Sequence, residues 1–230
     1  MRLGLRMVRG IGIPTAQVIE QARQTGPFQS LDDFVKRTKL DQSVLTTLSG
    51  ADAFQSLKLD RRQSLWQSLG RCREERPLFD AMDDREPLVP LPQMSMRDHV
   101  FADYQSAGLS LKNHPVSFYR QELESLRVTP AASLRTMKDG ESVRVAGLVL
   151  MRQRPSTARG ITFVTLEDET GQANLIIKRD VWERFYKVAR TASAFLASGR
   201  LQNQKGIIHV LTSKLEFVDI AVESRSRDFH

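Results

Sequence analysis

A pair of glycines flanked by arginines is the first stretch of the sequence whose residue types could bind a ligand. Gly10-Ile11-Gly12 follows two arginines and precedes Pro14, after which apolar residues recur at helical spacing. Because proline is pre-set for the first turn of a helix, the stretch predicts a tight turn that opens a helix. Glycines let the backbone approach a phosphate closely, and the free amides at a helix start attract anions. The stretch therefore predicts a phosphate-binding hairpin, with a plain helical turn as the alternative. The predicted contacts are Arg6, Arg9, Gly10, Ile11, Gly12 and Thr15.

A second candidate site is a run of positive charge in the C-terminal half. Between Glu141 and Glu167 there is no acidic residue, whereas four arginines are present. Binding of a nucleic-acid backbone by such cations releases counterions. Phe163 and His209 are candidate platforms for base stacking, or their side chains point inward, because the alternation around Phe163 leaves its face undecided. The lysines and Arg200 could equally keep the domain soluble. The predicted contacts are Arg144, Arg152, Arg154, Arg159, Phe163, Lys178, Arg200, Lys205 and His209.

The second set of residues lies in a region whose elements have a recognisable order. Residues 142–219 predict three strands, a helix with Asp180 as its N-cap, and two further strands, 194–201 and 207–218. A helix between the third and fourth of five strands is the order of the OB-fold barrel, which binds oligonucleotides or oligosaccharides. We therefore expect a five-stranded β-barrel with a nucleic-acid-binding surface.

The remaining sequence predicts a helical domain and a connector. Apolar residues recur at helical spacing up to about residue 70, and prolines then interrupt any helix through residue 96. The fold class is thus α+β and multidomain. Leu78 and Phe79 in the linker could dock on a sliding clamp or pack onto the helical domain. The predicted divisions are 1–80 (helical domain), 81–140 (linker and helical connector), 141–219 (barrel) and 220–230 (basic C-terminal tail).

Composition limits the classes of function. The 230 residues carry a formal charge of +7, so a polyanion is a plausible partner. The one cysteine and four scattered histidines have no metal-ligand spacing, and no long apolar run is present. We expect a soluble, cytoplasmic protein without a metal site. His114, which precedes Pro115, is interpreted as a structural turn residue.

Several motifs occur along the chain in an order that resembles one protein family. They are the Gly10-Ile11-Gly12 turn, which is similar to a helix-hairpin-helix motif, then Gly50-Ala51-Asp52-Ala53-Phe54, Gly108-Leu109-Ser110-Leu111 with His114-Pro115, Phe163-Val164-Thr165-Leu166-Glu167-Asp168-Glu169-Thr170-Gly171 and Ser226-Arg227-Asp228-Phe229. Together they resemble the C-terminal region of bacterial C-family DNA polymerases, most closely the error-prone branch.

The resemblance implies a DNA-binding part of a polymerase that acts in DNA repair and damage-induced translesion synthesis. The hairpin would hold duplex backbone and the barrel single-stranded template, with a sliding clamp or accessory proteins as further partners. The family's Mg²⁺ and catalytic carboxylates belong to a palm domain that this chain lacks, so we expect no catalytic residue, no cofactor and no nucleotide incorporation by this chain alone. The alternatives are part of a replicative polymerase α subunit, a single-strand-binding protein, a tRNA-binding barrel and a barrel that docks an accessory protein.

Overall fold

The structure is a computed structural model that describes residues 4–70, 91–204, 206–220 and 227–229. The chain divides into two compact units, residues 1–107 and 108–230. The helix Met96–Ala107 therefore groups with the N-terminal unit. The four-part division expected from the sequence stays a prediction. Leu78, Phe79 and Lys205 lie outside the described residues.

The N-terminal unit is helical, as the sequence predicts. Its helices are α1 (Ile13–Gln24), α2 (Leu31–Thr38), α3 (Gln42–Gly50), α4 (Arg61–Gly70) and α5 (Met96–Ala107), with short 3₁₀ turns at Leu5–Met7 and Gln55–Leu57. The side chain of Ser30 accepts a hydrogen bond from Asp33 N (3.1 Å) at the start of α2. Asp41 does the same for Val44 N (3.0 Å) at the start of α3, so both helices begin at a side-chain cap. The buried core consists of Ile11, Ile19, Leu31, Phe34, Leu45, Leu48 and Phe54.

The end of α1 is held by an arginine of α2. Arg37 Nη2 donates to the carbonyl oxygens of Ala22 and Gly26, the latter at 2.8 Å. Its Nη1 donates to Asp33 Oδ2 at 3.0 Å, and its guanidinium lies 4.4 Å from the centre of the Phe28 ring. The last carbonyl groups of a helix have no partner within the helix, and a cation there also interacts favourably with the helix dipole. Arg37 is thus a structural residue.

The C-terminal unit is a closed five-stranded barrel with one short added strand. The strands are β1 (Ser142–Gln153), β2 (Thr162–Asp168), β3 (Gly171–Ile177), β4 (Ala194–Gln204), β5 (Ile207–Phe217) and β6 (Arg227–Phe229). Their order in the sheet is β2-β3-β5-β4-β1-β6, and β1 also pairs with β2, which closes the barrel. The pairs β3–β5 and β1–β6 are parallel, and the others are antiparallel. The predicted α+β fold with a five-stranded barrel is confirmed.

Two glycines let the barrel close. The first half of β1 pairs with β4 and its second half pairs with β2, so the strand must bend. A Cβ at Gly147 of β1 would collide with the backbone of Glu167, and one at Gly199 of β4 would collide with the backbone of Leu211. The register also shifts between Val149 and Met151, which marks a β-bulge. Together these features bring β1 into contact with both neighbours.

Three short helices precede the barrel in the C-terminal unit. They are the 3₁₀ helix Pro115–Tyr119, α6 (Arg120–Ser125) and the 3₁₀ helix Ala131–Thr136. His114 begins the first of these, because its Nδ1 accepts a hydrogen bond from Val116 N at 3.2 Å. Burial lowers the pKa of His114, while the nearby carboxylates, chiefly that of Glu167, oppose that shift. The contacts of His114 therefore agree with its interpretation as a structural turn residue.

Three details of the barrel region differ from expectation. The predicted tail 220–230 contains β6, which pairs with residues 151–153 of β1; a three-residue strand is too short to give an alternation pattern. The predicted single helix after β3 is two short helices, α7 (Arg179–Arg184) and α8 (Tyr186–Thr191), with Lys178 at the first N-cap. Asp180 lies in the first turn of α7 and does not cap it.

The carboxylate of Asp168 fixes the turn between β2 and β3. Its Oδ1 accepts hydrogen bonds from Thr170 N (2.7 Å) and Gly171 N (3.0 Å). Its Oδ2 accepts from Ala131 N (2.9 Å) and from Arg120 Nη2 (3.1 Å). Asp168 is 5% exposed, so these donors take the place of the water that would otherwise solvate the charge. One side chain thereby joins the turn, α6 and the 3₁₀ helix Ala131–Thr136.

The contacts of Arg37 lead to a test of the N-terminal unit. Arg37→Ala should lower the free energy of unfolding by about 2 kcal/mol, because it leaves carbonyl groups at the end of α1 without donors. Lys36→Ala, at the exposed neighbouring position, is the matched control and should change it by less than about 0.5 kcal/mol. Chemical denaturation followed by circular dichroism measures both. Equal destabilisation by the two variants would contradict the structural role of Arg37.

Candidate nucleic-acid interface

The Gly10–Gly12 turn opens α1 without a side chain that caps its first backbone amides. Gly10 has φ +86, a conformation that favours glycine, and Gly12 is the N-cap of α1 without a side chain to cap it. Ala16 N makes the first bond of the helix, to Gly12 O, so the amides of Ile13 and Thr15 have no carbonyl partner within α1. Both glycines are exposed. The turn therefore presents amide donors at the positive end of a helix, as an anion site requires.

The other predicted hairpin contacts differ in what they can do. The Ile11 side chain is buried in the helical core, so it anchors the turn and leaves only its backbone near the surface. Arg9 N donates to Ser106 O at 2.7 Å and its Nη1 donates to Gln105 O at 3.2 Å, which ties the turn to the end of α5. Arg6 is exposed and Thr15 is half-buried. The hairpin thus offers exposed cations beside the amides, and one of them is also a structural donor.

The outward face of β2 and β3 carries the aromatic candidate of the barrel. Val164 and Leu166 lie in the core, which places Phe163 on the outer face of β2. Phe163 pairs with Ile176 on β3, and Thr165 pairs with Asn174. The structure therefore resolves the alternation that the sequence leaves open: Phe163 is half-buried on an outer face, where its ring can stack with a base. We call the outward side chains of β2 and β3 the β2–β3 face.

Two of the predicted arginines are held by the barrel itself. Arg152 is 7% exposed; its Nε donates to Ala189 O at 2.8 Å and its Nη2 donates to Ala192 O. Arg144 Nη1 donates to Leu126 O at 2.6 Å, and its Nη2 lies 3.5 Å from Glu216 Oε2. The bulge in β1 explains why Arg152 is buried, because the register shift pairs Arg152 with Val164, whose side chain points into the core. Both arginines were expected to contact nucleic acid, and their observed contacts are instead within the protein.

The exposed cations near the β2–β3 face come from the loop between β1 and β2. Arg154 and Arg159 are exposed on either side of the 3₁₀ turn Ser156–Ala158. A Cβ at Gly160 would stand 3.2 Å from Cδ of Arg179, so this loop ends against the start of α7. Arg179 is a cation that the sequence reasoning missed, although it follows Lys178 directly and the dibasic pair was a usable signal. Its Nε donates to Glu183 at 2.8 Å, so it is already partly neutralised.

The other predicted barrel contacts are Lys178, Arg200 and His209, and only Lys178 lies near the arginine loop. Lys178 is exposed at the start of α7. Arg200 is exposed on β4 opposite Ser142, at the far end of β1 from Gln153 and the arginine loop. His209 is half-buried on β5 opposite Gln202, and its neighbours Ile208 and Val210 are the ones that contact the core. The structure therefore brings Arg154, Arg159, Lys178 and Phe163 to one region and leaves Arg200 and His209 apart from it.

Comparisons with known protein families agree with the two domain types that the sequence predicts. Residues 1–64 match the family model described as a helix-hairpin-helix motif, and residues 143–218 match the one described as an OB-fold nucleic acid binding domain. The chain thus combines two domain types that are associated with nucleic-acid binding.

The relatives of the whole chain are more specific. An error-prone DNA polymerase of Rhodopirellula baltica is 49% identical over 223 residues, which is 94% of this chain and 19% of that protein. One from Anaeromyxobacter dehalogenans is 40% identical over 232 residues, which is 100% of this chain and 20% of that protein. The chain is therefore related along its length to error-prone DNA polymerases, as its motifs predict, and it spans about a fifth of the length of these relatives.

Two further observations add little about function. Among solved structures, the asparaginyl-tRNA synthetase of Pyrococcus horikoshii aligns with 37% of this chain and 20% of its own length, at 26% identity and a TM-score of 0.32. That score is too low to support a conclusion. Within the described ranges, no helix is long and apolar enough to cross a membrane.

The placement of Arg152 leads to a test that separates structure from binding. Arg152→Gln should lower the free energy of unfolding of the C-terminal unit by about 2 kcal/mol, because carbonyl groups near the end of α8 would no longer have a charged donor. Arg154→Gln, in the exposed loop, should leave it within about 0.5 kcal/mol. The fluorescence of the buried Trp182 during denaturation reports on this unit. A stable Arg152→Gln variant would contradict the structural assignment.

Proposed function

We propose that this chain is the DNA-binding part of an error-prone DNA polymerase and works in DNA repair and damage-induced translesion synthesis. The observation that carries the proposal is the β2–β3 face, where the outward Phe163 lies near the exposed arginines of the β1–β2 loop. The relatives supply the polymerase context, since they are named error-prone DNA polymerases. We propose that it acts in the bacterial cytoplasm, as the C-terminal part of the polymerase.

In this proposal the barrel binds single-stranded template. Arg154 and Arg159 neutralise phosphates, and Phe163 provides a ring on which a base stacks without regard to its identity. Ile176, which pairs with Phe163, widens the apolar surface under that base. Such a surface suits a polymerase that must hold template of any sequence.

The hairpin would hold the backbone of duplex DNA. The uncovered amides at the start of α1 donate to a phosphate, and Arg6 and Arg9 add positive charge beside them. Because these contacts involve no base edges, they position the duplex without selecting a sequence. The two units thus have different tasks within one DNA-binding part.

The proposed DNA contacts include neither a catalytic site nor a partner protein. No three His, Cys, Asp or Glu side chains gather as a metal site within the part of the chain that the structure describes. All of the proposed DNA contacts are made by side chains and amides of this chain. We assign the Mg²⁺-dependent chemistry to the rest of the polymerase. Docking of Leu78 and Phe79 on a sliding clamp, and binding of accessory proteins, are secondary proposals.

A change at the hairpin tests the duplex contact. Gly12→Asp suits the observed backbone, with φ −83 and ψ 167, and aspartate is a good N-cap, so α1 should be at least as stable. The carboxylate would occupy the amides and repel phosphate. We expect the affinity for a duplex oligonucleotide at low salt to fall about tenfold.

The matched control is Ser30→Asp, which adds the same charge at the N-cap of α2. Fluorescence anisotropy measures affinity, and thermal melting checks folding. Equal weakening by both variants would mean that net charge alone matters, and unchanged binding by Gly12→Asp would exclude the hairpin as a contact.

A second pair of changes tests the barrel. Replacing Arg154 and Arg159 by Gln should weaken binding of a single-stranded oligonucleotide about fivefold or more at low salt. It should also make the dependence of log affinity on log salt shallower by about 1.4, which is about 0.7 for each phosphate of a single strand that the arginines no longer neutralise.

The control variant replaces Arg127 and Lys187 by Gln. Both are exposed in the same unit, and Arg127 has φ +56, close to the φ +49 of Arg159, so backbone strain is matched. The salt slope of the control should stay near that of the unchanged chain. Identical slopes for the two double variants would reject the loop as the phosphate contact.

A further inference from the structure

The C-terminal strand β6 is an addition to the five-stranded barrel, and the proposed DNA contacts give it no role. It lies beyond residues 143–218, which match the OB-fold model, and it contains most of the motif Ser226-Arg227-Asp228-Phe229. Its three residues pair in parallel with Met151–Gln153, at the end of β1. The motif therefore places a sixth strand beside the point where β1 enters the β1–β2 loop.

This strand covers an edge of β1 that β4 does not reach. β1 pairs with β4 only as far as Leu148, and Val149 N makes one further bond, to Ser193 O at 2.8 Å. The opposite edge of β1 pairs with β2. Backbone N–H and C=O groups along an uncovered edge would have no partner in the sheet, and β6 supplies partners over residues 151–153. The end of β1 is therefore the middle strand of three.

The end of β1 depends on this third strand because its pairing with β2 is short. The register of β1 against β2 shifts between Val149 and Met151, and only three residue pairs follow this bulge. A bulge disrupts the ladder locally, and two short strands alone are marginally stable. The pairing with β6 adds three residue pairs on the other side of the same three residues.

The end of β1 is also the start of the proposed single-strand site. Gln153 is the last residue of β1, and it pairs with Phe163 on one side and with Phe229 on the other. Arg154 follows it directly. The β1–β2 loop contains its own 3₁₀ turn, Ser156–Ala158, so the loop is a local unit whose direction is set where its ends are held.

The two ends of this loop are held by different kinds of contact. At the far end, Gly160 faces the side chain of Arg179, which is 70% exposed. At the near end, the loop continues from a strand with a ladder on each side. A ladder fixes the backbone more firmly than an exposed side chain does, so the near end is the one that sets where the loop's arginines lie.

We propose that β6 is a positioning strand: by pairing with residues 151–153 it holds the start of the β1–β2 loop, so that Arg154 and Arg159 lie beside Phe163 and reach the phosphates of a single strand. The inference rests on the proposed function of the barrel. It assigns to the C-terminal motif the task of keeping that site formed in the free chain, which lowers the ordering cost of binding. β6 acts through the loop and does not itself contact DNA.

The test removes the pairing without a change in formal charge. Arg227→Pro/Asp228→Pro loses one positive and one negative charge, and proline cannot donate to a strand ladder. We expect the affinity for a fluorescent single-stranded 12-mer at low salt to fall about three- to fivefold, because the loop must then become ordered on binding. The matched control, Arg227→Gln/Asp228→Asn, loses the same charges, keeps both backbone N–H groups and should bind as the unchanged chain does.

A double-mutant cycle separates positioning from a direct contact. In a chain that already carries Arg154→Gln and Arg159→Gln, the two prolines should cause no further loss, because the side chains that β6 positions are gone. A strand that bound DNA itself would lower the affinity by the same factor in both backgrounds, and that result would overturn the proposal. Affinity for a duplex, which the hairpin of the N-terminal unit binds, should stay unchanged in every variant.

Hydrogen exchange of the unchanged chain gives a result that does not depend on how the variants fold. The paired amides among residues 151–153 and 227–229 should exchange at least about tenfold more slowly than in an unstructured peptide. Exchange of residues 227–229 at the rate of an unstructured peptide would overturn the proposal. Trp182 fluorescence checks the proline variant, and an unfolded barrel would also overturn it, because β6 would then be required for the whole fold.

The outcomes distinguish this inference from the proposed function. If the unchanged chain does not bind the single strand, both fail together. If Arg154→Gln/Arg159→Gln weakens binding and the proline pair does not, the barrel site stands and only the positioning role is overturned. A shallower salt dependence in the proline variant, in the direction that loss of the two arginines produces, would support the role, because fewer phosphates would then be neutralised.

Discussion

The buried carboxylate of Asp168 is the interaction on which the geometry of the C-terminal unit depends. A charge at this depth is tolerated only when donors surround it, and Asp168 accepts from two amides of its own turn, from Ala131 N and from Arg120. The bonds within the turn set the register of β2 against β3, and therefore set which side chains reach the β2–β3 face. The bond to Ala131 holds the 3₁₀ helix Ala131–Thr136 against the same turn. Removal of this one group would disturb the barrel and the proposed base contact at Phe163 together.

Several of the chain's arginines contact other groups within the protein. Arg37 covers the end of α1, Arg152 covers the end of α8, and Arg120 serves Asp168 and Glu169. Arg61 is 5% exposed and pairs with Asp103 in the N-terminal unit. A guanidinium has five donors in a planar fork, so it can satisfy several carbonyl or carboxylate oxygens at once. The number of arginines therefore overstates the cations that are available to phosphate, and exposure decides which of them can bind DNA.

Local patterns were enough to predict the barrel and the glycine turn. The β-branched and aromatic residues of β2 and the turn residues after Asp168 act over a short range, and so does the combination of Gly12 with Pro14 at a helix start. The burial of the Arg152 side chain could not be predicted, because it depends on a bulge in β1 and on the distant carbonyl groups of Ala189 and Ala192. The short parallel pairing of β3 with β5 could not be predicted either, because it joins segments that are far apart in the sequence and covers only three residues of each strand.

The two proposed DNA contacts differ in how they tolerate sequence change. At the hairpin the donors are backbone amides, so a side-chain substitution acts only by covering them or by altering the turn, as at Gly10 with its positive φ. On the barrel the contacts are side chains on a framework that Asp168 and Arg152 hold in place, so each can be changed while the fold persists. In the proposed arrangement, substitutions would therefore adjust template binding at the β2–β3 face, whereas the backbone amides of the hairpin would keep a constant contact with the duplex. This division follows from the chemistry of the donors: a backbone amide is present whatever the side chain, and a guanidinium is lost with a single substitution.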